Sequence, residues 1–360
     1  MPAISLPPQP RRIILVNPTR YLGNLLIAGG LIQDFAAQCA ERNISFKLVV
    51  DAAFADLLAP VLPVDTLILY PRRQIKQVRG WRKLQAYWRC LQQIRRFQAD
   101  IAFNLEEDSV SHRLTQWSGA KFKLGCSSTR HRFGYQAVVP VNFAARPLHQ
   151  QHRWYSFQEV FAVFGLPAAQ PGYLRLPPQT LAADLRSRLQ TQGVDFSKQQ
   201  VVLHAGATKA YKKWPARYFA ELCQALRRAD RQVVFIGAGQ DAEEIAAVLA
   251  QVPLPHSGIV NLCNQLSLAE LAQYFVGVSA IVGNDSGPFH LAAAQGVAGL
   301  VIFGPTKVEL WEPLSPKTHV LKSKELCSAE CTQQGCIHQH RCLTSITPQQ
   351  VLAQLSPWLV

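Results

Sequence analysis

No stretch of this chain stays apolar long enough to cross a membrane. Its hydrophobic runs, such as residues 13–16 and 201–203, have the length of single buried strands. The first eight residues carry no basic start and no long apolar core, so no secretory leader is read there and a cytoplasmic location is expected. No G-x-G-x-x-G follows the first strand-like run, which argues against a dinucleotide-dependent dehydrogenase. There is no internal repeat beyond a shared α/β rhythm, and no low-complexity tract. What remains is the composition of a globular protein, 48% apolar and 17% charged, in 360 residues, enough for two cores.

Acid is also scarce. The chain has 23 Asp/Glu against 37 Lys/Arg, a net charge of +14. Residues 1–170 hold 21 Lys/Arg and 10 Asp/Glu, a surplus of eleven, and the remainder a surplus of only three. The first half is therefore expected to face something anionic. Residues 72–97 contain nine Lys/Arg and no acid, with Trp81, Leu84, Tyr87, Trp88, Leu91 and Ile94 at helical spacing. Such a helix either lies on an anionic membrane face or phosphorylated acceptor, or turns its aromatic side into the core and its basic side to water. No nucleic-acid recognition motif accompanies the charge, so no nucleic-acid partner is expected.

The periodicity is α/β. Residues 11–16 and 46–50 read as strands around a turn-rich loop at 17–24 and a helix from 25 to 42. Strands at 66–70, 101–105 and 119–125 and a helix at 81–97 continue the set. A Pro-containing break at 166–178 precedes a second set, with strands at 201–204, 232–236, 258–262, 280–282 and 299–303. The expected architecture is two Rossmann-like, doubly wound domains facing a cleft: residues 1–170, residues 171–345, and a last helix within 346–360 that could fold onto either. Ligands are expected at the carboxyl ends of the strands.

Three segments carry chemistry. Asp285-Ser286-Gly287-Pro288-Phe289-His290 closes an apolar strand and opens an Ala-rich helix, a geometry that offers free backbone N–H groups and a positive helix end to phosphate. His204-Ala205-Gly206-Ala207-Thr208, followed by Lys212-Lys213-Trp214-Pro215, places Thr208 and a lysine where a diphosphate leaving group would develop charge. Arg20, Gly23 and Asn24 lie in a third glycine-containing loop between strand and helix.

Together these motifs, with Phe303-Gly304-Pro305-Thr306, resemble glycosyltransferase family 9, the heptosyltransferases of lipopolysaccharide core assembly; residues 100–125 also look like that family's middle N-terminal segment. The resemblance implies a GT-B fold and an inverting sugar transfer with no catalytic metal. It implies a nucleotide-sugar donor, ADP-heptose in the best-known members, on the second domain. The acceptor, a phosphorylated glycolipid or glycan, would lie on the first, with Arg20, Gly23 and Asn24 among its contacts, and the enzyme could be peripheral on the inner face of the cytoplasmic membrane. The expected donor contacts are His204, Thr208, Lys212 (preferred over Lys213), Lys213, Asp241, Glu243, Asp285, Ser286, Gly287, His290 and Thr306. Asp285 is expected to shape the loop or bind sugar hydroxyls, His290 to reach phosphate or hold the loop, and one of Asp241, Glu243 and Glu244 to accept from ribose. Where the family has an aspartate base, this chain has Asn24, and an amide cannot take a proton at neutral pH. One of Glu106, Glu107 and Asp108 is expected to replace it, with Glu107 and Asp108 weighted equally. Loss of catalysis in a protein that still binds is the competing expectation.

Cys39, Cys90, Cys126, Cys223 and Cys263 are scattered and expected in cores. Cys327, Cys331, Cys336 and Cys342 are clustered, with His338 and His340 nearby. A structural role is expected for them, through zinc or iron or through disulfides, which a cytoplasmic location disfavours.

Overall fold

Every strand among the described residues runs parallel to its sheet neighbours. The computed structural model describes residues 4–106, 108–127, 133–141, 146–323, 336 and 339–359. The chain divides into two units, Met1–Pro177 and Pro178–Val360. The first holds β1 (Arg12–Val16), β2 (Ser45–Asp51), β3 (Leu67–Tyr70), β4 (Ile101–Phe103), β5 (Phe122–Ser127) and β6 (Ala137–Pro140), in the order β3-β2-β1-β4-β5-β6. The second holds β7 (Gln200–His204), β8 (Gln232–Phe235), β9 (Ile259–Asn261), β10 (Ala280–Asn284), β11 (Gly299–Phe303) and β12 (Thr318–Lys322), in the order β12-β11-β10-β7-β8-β9. Counted within each unit the order is the same, that of a Rossmann sheet. Strand order reverses between β1 and β4 and between β7 and β10, and ligands collect at such switch points.

Parallel strands covered on both faces read as continuous apolar runs, and these do. β7, β8, β10 and β11 are buried along their whole length. In the first unit Phe35, Phe103 and Phe164 stack on one face of the sheet, with Phe103 and Phe164 ring centroids 4.6 Å apart. Ile14, Val16, Leu91, Ile94 and Leu114 fill the other. The five scattered cysteines are all buried.

Two expectations change, and an alternative left open is decided. The helix after β1 spans Leu22–Glu41, so Gly23 and Asn24 stand in its first turn and not in a loop. A glycine with no polar cap before it disguises the start. The division between units falls after residue 170, because the segment before Pro177 is strapped to the first unit: Leu174 N–H bonds the Leu26 carbonyl at 2.7 Å, where the helix presents Gly29 and Gly30. The last helix, Pro348–Leu355, packs on the Ala216–Arg228 helix of the second unit and buries Val351 and Leu355 in its core.

The basic helix, Gly80–Arg96, divides its apolar residues. Ala86, Cys90, Leu91 and Ile94 enter the core, whereas Trp81, Leu84 and Trp88 are 67%, 71% and 49% exposed. Arg73, Lys76, Arg79, Arg82, Lys83, Arg89, Arg95 and Arg96 are exposed as well.

A Cβ on Gly29 would lie 2.5 Å from the Leu174 Cβ. Alanine favours a helix over glycine by about 1 kcal/mol, which is less than the strain of an overpacked contact. Gly29→Ala is expected to destabilise the protein by about 1–3 kcal/mol, read by urea unfolding.

Candidate active site

Each unit gathers its polar side chains at its own switch point. In the second unit, β10 ends in Asn284, which is fully buried. Its Oδ1 accepts the Trp214 N–H at 2.9 Å, and its Nδ2 donates to the Ala205 and Gly206 carbonyls at 2.9 and 3.1 Å. One amide thus sets the path of the whole 205–214 loop. Trp214 is buried and donates Nε1–H to the Ile346 carbonyl at 2.8 Å.

The loop set this way delivers Lys212. Its Nζ lies 2.6 Å from Asp285 Oδ2, with both side chains largely buried. Lys213 pairs with Glu244 on the Asp241–Leu249 helix, so the two lysines serve different partners. Ser286 is the N-cap of the Gly287–Ala294 helix, yet it does not cap: its hydroxyl bonds His204 Nδ1 at 3.0 Å. With Pro288 lacking an N–H, the first-turn amides of Gly287 and Phe289 gain no side-chain partner from the cap, and the helix end keeps its attraction for an anion.

His204 Nε2 in turn lies 3.5 Å from Asp241 Oδ2, which also accepts the Ala238 N–H at 2.9 Å. Asp241 fits only because positions 206 and 237 are glycines; a Cβ on Gly206 would fall 1.9 Å from its Oδ1. Asp241 therefore holds loops together, and Glu243 beside it is exposed. His290 is buried 4.0 Å from Asp285 Oδ1, and burial pushes its pKa down to about 4, so it stands neutral next to the Lys212–Asp285 pair. Thr208 is exposed; Thr306 has a buried Oγ1 with no protein partner.

In the first unit the loop after β1 is tied from below. Arg72 Nε bonds Asp51 Oδ2 at 2.5 Å, and the same guanidinium reaches the Pro18 carbonyl. Arg20 is exposed and lies over the Tyr21 ring. Asn24 Nδ2 donates to Glu106 Oε1 at 3.0 Å. Glu106 is 7% exposed, and burial pushes its carboxyl pKa up against the opposing pull of Asn24 and Arg153. Its loop is rigidly held: Asn104 Nδ2 donates to Tyr135 OH at 2.8 Å while its Oδ1 accepts the Cys126 N–H, and Arg153 donates to the Leu105 carbonyl.

Of the three adjacent acids, Asp108 caps the Ser109–Gln116 helix. Its Oδ1 accepts the N–H groups of Val110 and Ser111, and its Oδ2 takes the Ser111 hydroxyl. Both oxygens being engaged, Asp108 is a cap and not a free base. Glu107 lies outside the described residues, as do Cys327, Cys331 and His338. Cys336 Sγ accepts the His340 N–H at 3.1 Å, and Cys342 is buried in the second unit's core. Among the described residues no three His, Cys, Asp or Glu come together to hold a metal. Neither Asn284, though it adjoins the turn, nor the Asp51–Arg72 pair was given a role from the sequence. A polar residue ending the apolar run 280–283 was the available signal for the first.

Two doubly wound units, one with a phosphate-type turn at its switch point, define the GT-B class of folds. The solved structure of E. coli ADP-heptose LPS heptosyltransferase II shares the architecture, with a TM-score of 0.71 and 21% identity over 97% of this chain and 98% of that one. The model of glycosyltransferase family 9 (heptosyltransferase) matches residues 87–341, and the chain belongs to that family. Lipopolysaccharide heptosyltransferase 1 of Pseudomonas aeruginosa is 26% identical over 97% of this chain and 98% of its own length. Lipooligosaccharide heptosyltransferase 2 of Campylobacter jejuni is 30% identical over 44% of this chain. The chain spans about half the length of that relative and of others it matches.

Asn284→Ala would strand one buried N–H and two carbonyls. It is expected to cost about 3 kcal/mol or more, measured by urea unfolding.

Proposed function

We propose that this protein transfers a heptose from a nucleotide sugar, ADP-heptose, to a lipopolysaccharide core or related surface-glycan acceptor. The observation that carries the proposal is the turn after β10, where Ser286 is committed to His204 and Lys212 stands beside an uncapped helix end. Family membership and the activities for which the relatives are named support the sugar and the acceptor.

On this reading the second unit binds the donor. The Gly287 and Phe289 N–H groups and Lys212 take the diphosphate, and Thr306 offers its unpartnered hydroxyl. Asp285 holds Lys212 in place before the donor arrives, and neutral His290 packs behind it. As the bond to the anomeric carbon breaks, negative charge grows on the leaving diphosphate, where fixed donors and a cation stabilise it most. The acceptor hydroxyl attacks the face opposite the leaving group, so the configuration inverts. Each positive element assigned to this step belongs to the protein. A structural zinc or iron at Cys327, Cys331, Cys336 and Cys342 would stand apart from the transfer, and metal analysis of purified protein decides it.

The acceptor is assigned to the basic first unit. Trp81, Leu84 and Trp88, exposed among eight exposed cations with no acid between residues 72 and 97, are the composition that suits an anionic lipid surface, where such an acceptor is anchored. A second reading, a binding protein that has lost catalysis, is favoured by Asn24 alone. Turnover of ADP-heptose with a core acceptor separates the two, and a protein that binds ADP but never transfers sugar would overturn the first.

Lys212→Ala is expected to lower kcat by about 10²-fold, with folding retained by circular dichroism. Sedimentation with vesicles containing anionic lipid is expected to capture the protein, and not with neutral vesicles. Each of Arg79, Arg82 and Lys83 changed to Gln should weaken that capture by about fivefold, corresponding to about 1 kcal/mol per cation.

A further inference from the structure

We propose that Glu106 is the general base of this protein, with Asn24 as the residue that positions it; the inference rests on the glycosyl-transfer reading above. The transfer needs a proton acceptor near the attacking hydroxyl. Asn24 stands at the family's base position and cannot serve. The atom it touches can: its Nδ2–H points at Glu106 Oε1, 3.0 Å away. A carboxylate at either end of that hydrogen bond places its charge at nearly the same point. The acid has moved from the helix that follows β1 to the loop that follows β4, across the switch point of the same sheet.

The other described carboxylates at this end of the sheet have other work. Asp51 is paired with Arg72, and Asp108 caps a helix. Glu106 faces Asn24 and Thr19 from the segment after β1, Arg153 from the Arg153–Ala162 helix, and Asp108 from its own loop. Asn24, Thr19 and Arg153 favour the carboxylate; burial, the largest influence, and Asp108 oppose it, and the outcome is a raised pKa. That makes Glu106 a stronger base than an ordinary surface glutamate. It is protonated, and lost as a base, as pH falls through its raised value.

In the step, the acceptor O–H bond breaks and its proton passes to the Glu106 carboxylate. The acceptor oxygen bonds the anomeric carbon. The bond from that carbon to the phosphate oxygen breaks, and its electron pair leaves on the nucleoside diphosphate.

The test measures sugar transfer and, by calorimetry, ADP binding for the native protein, Glu106→Gln, Asn24→Ala, and the exchanged pair Asn24→Asp/Glu106→Gln. Glu106→Gln is expected to lose at least about 10²-fold in kcat with ADP affinity within about twofold. Asn24→Ala, which removes a hydrogen bond favouring the carboxylate, is expected to move the acid limb of the kcat/KM profile to higher pH. The exchanged pair is expected to recover at least about tenfold over Glu106→Gln alone, which a merely structural role for Glu106 would not produce. Turnover of Glu106→Gln within about threefold of the native protein, or an exchanged pair no faster than Glu106→Gln, would overturn the inference. A native protein that transfers no sugar would instead overturn the function on which it rests.

Discussion

Three hydrogen bonds made by one buried amide organise the switch point of the second unit. Asn284 fastens the end of β10 to the loop that leaves β7, the two strands between which the order of the sheet reverses. Without that fastening the path from Ala205 to Trp214 would rest on the short 3-10 turn Ala210–Lys212 and on the Lys212–Asp285 pair. With it, the lysine arrives at Asp285, Trp214 bonds the Ile346 carbonyl ahead of the last helix, and Ser286 is left to its histidine. A neutral side chain makes the tie, so it adds no charge that a diphosphate would have to oppose.

The first unit reaches a similar rigidity by different means. Among its described residues the loop after β4 is tied at three positions: Asn104 to Tyr135 and Cys126, Leu105 to Arg153, and Asp108 to the helix it caps. Glu106 is held between these anchors. A side chain held through its neighbours keeps its own atoms free of most supports, the separation of positioning from chemistry that fixed sites require.

Much of the fold was legible because parallel strands buried on both faces leave unbroken apolar runs, and helices at period 3.6 separate them. The turn from Asp285 to His290 was legible because its residues are contiguous. What escaped were relations between distant segments. Nothing in the string of Glu106, Glu107 and Asp108 marks which acid meets Asn24, because that depends on how β1 and β4 pair. The part played by Asn284 was hidden because its partners lie some seventy to eighty residues upstream. The basic helix showed one apolar stripe in sequence, whereas in space Leu91 and Ile94 go inward and Trp81, Leu84 and Trp88 outward. Periodicity records that residues share a side of a helix, not where the core stops.

The burial of His290 has a consequence for how the protein meets changing conditions. Because its ring stays uncharged until the medium is strongly acidic, His290 adds no charge beside the Lys212–Asp285 pair through the neutral range. Ordinary swings in proton concentration therefore leave this one neighbour of the pair unchanged, and any response of the turn to them arises elsewhere.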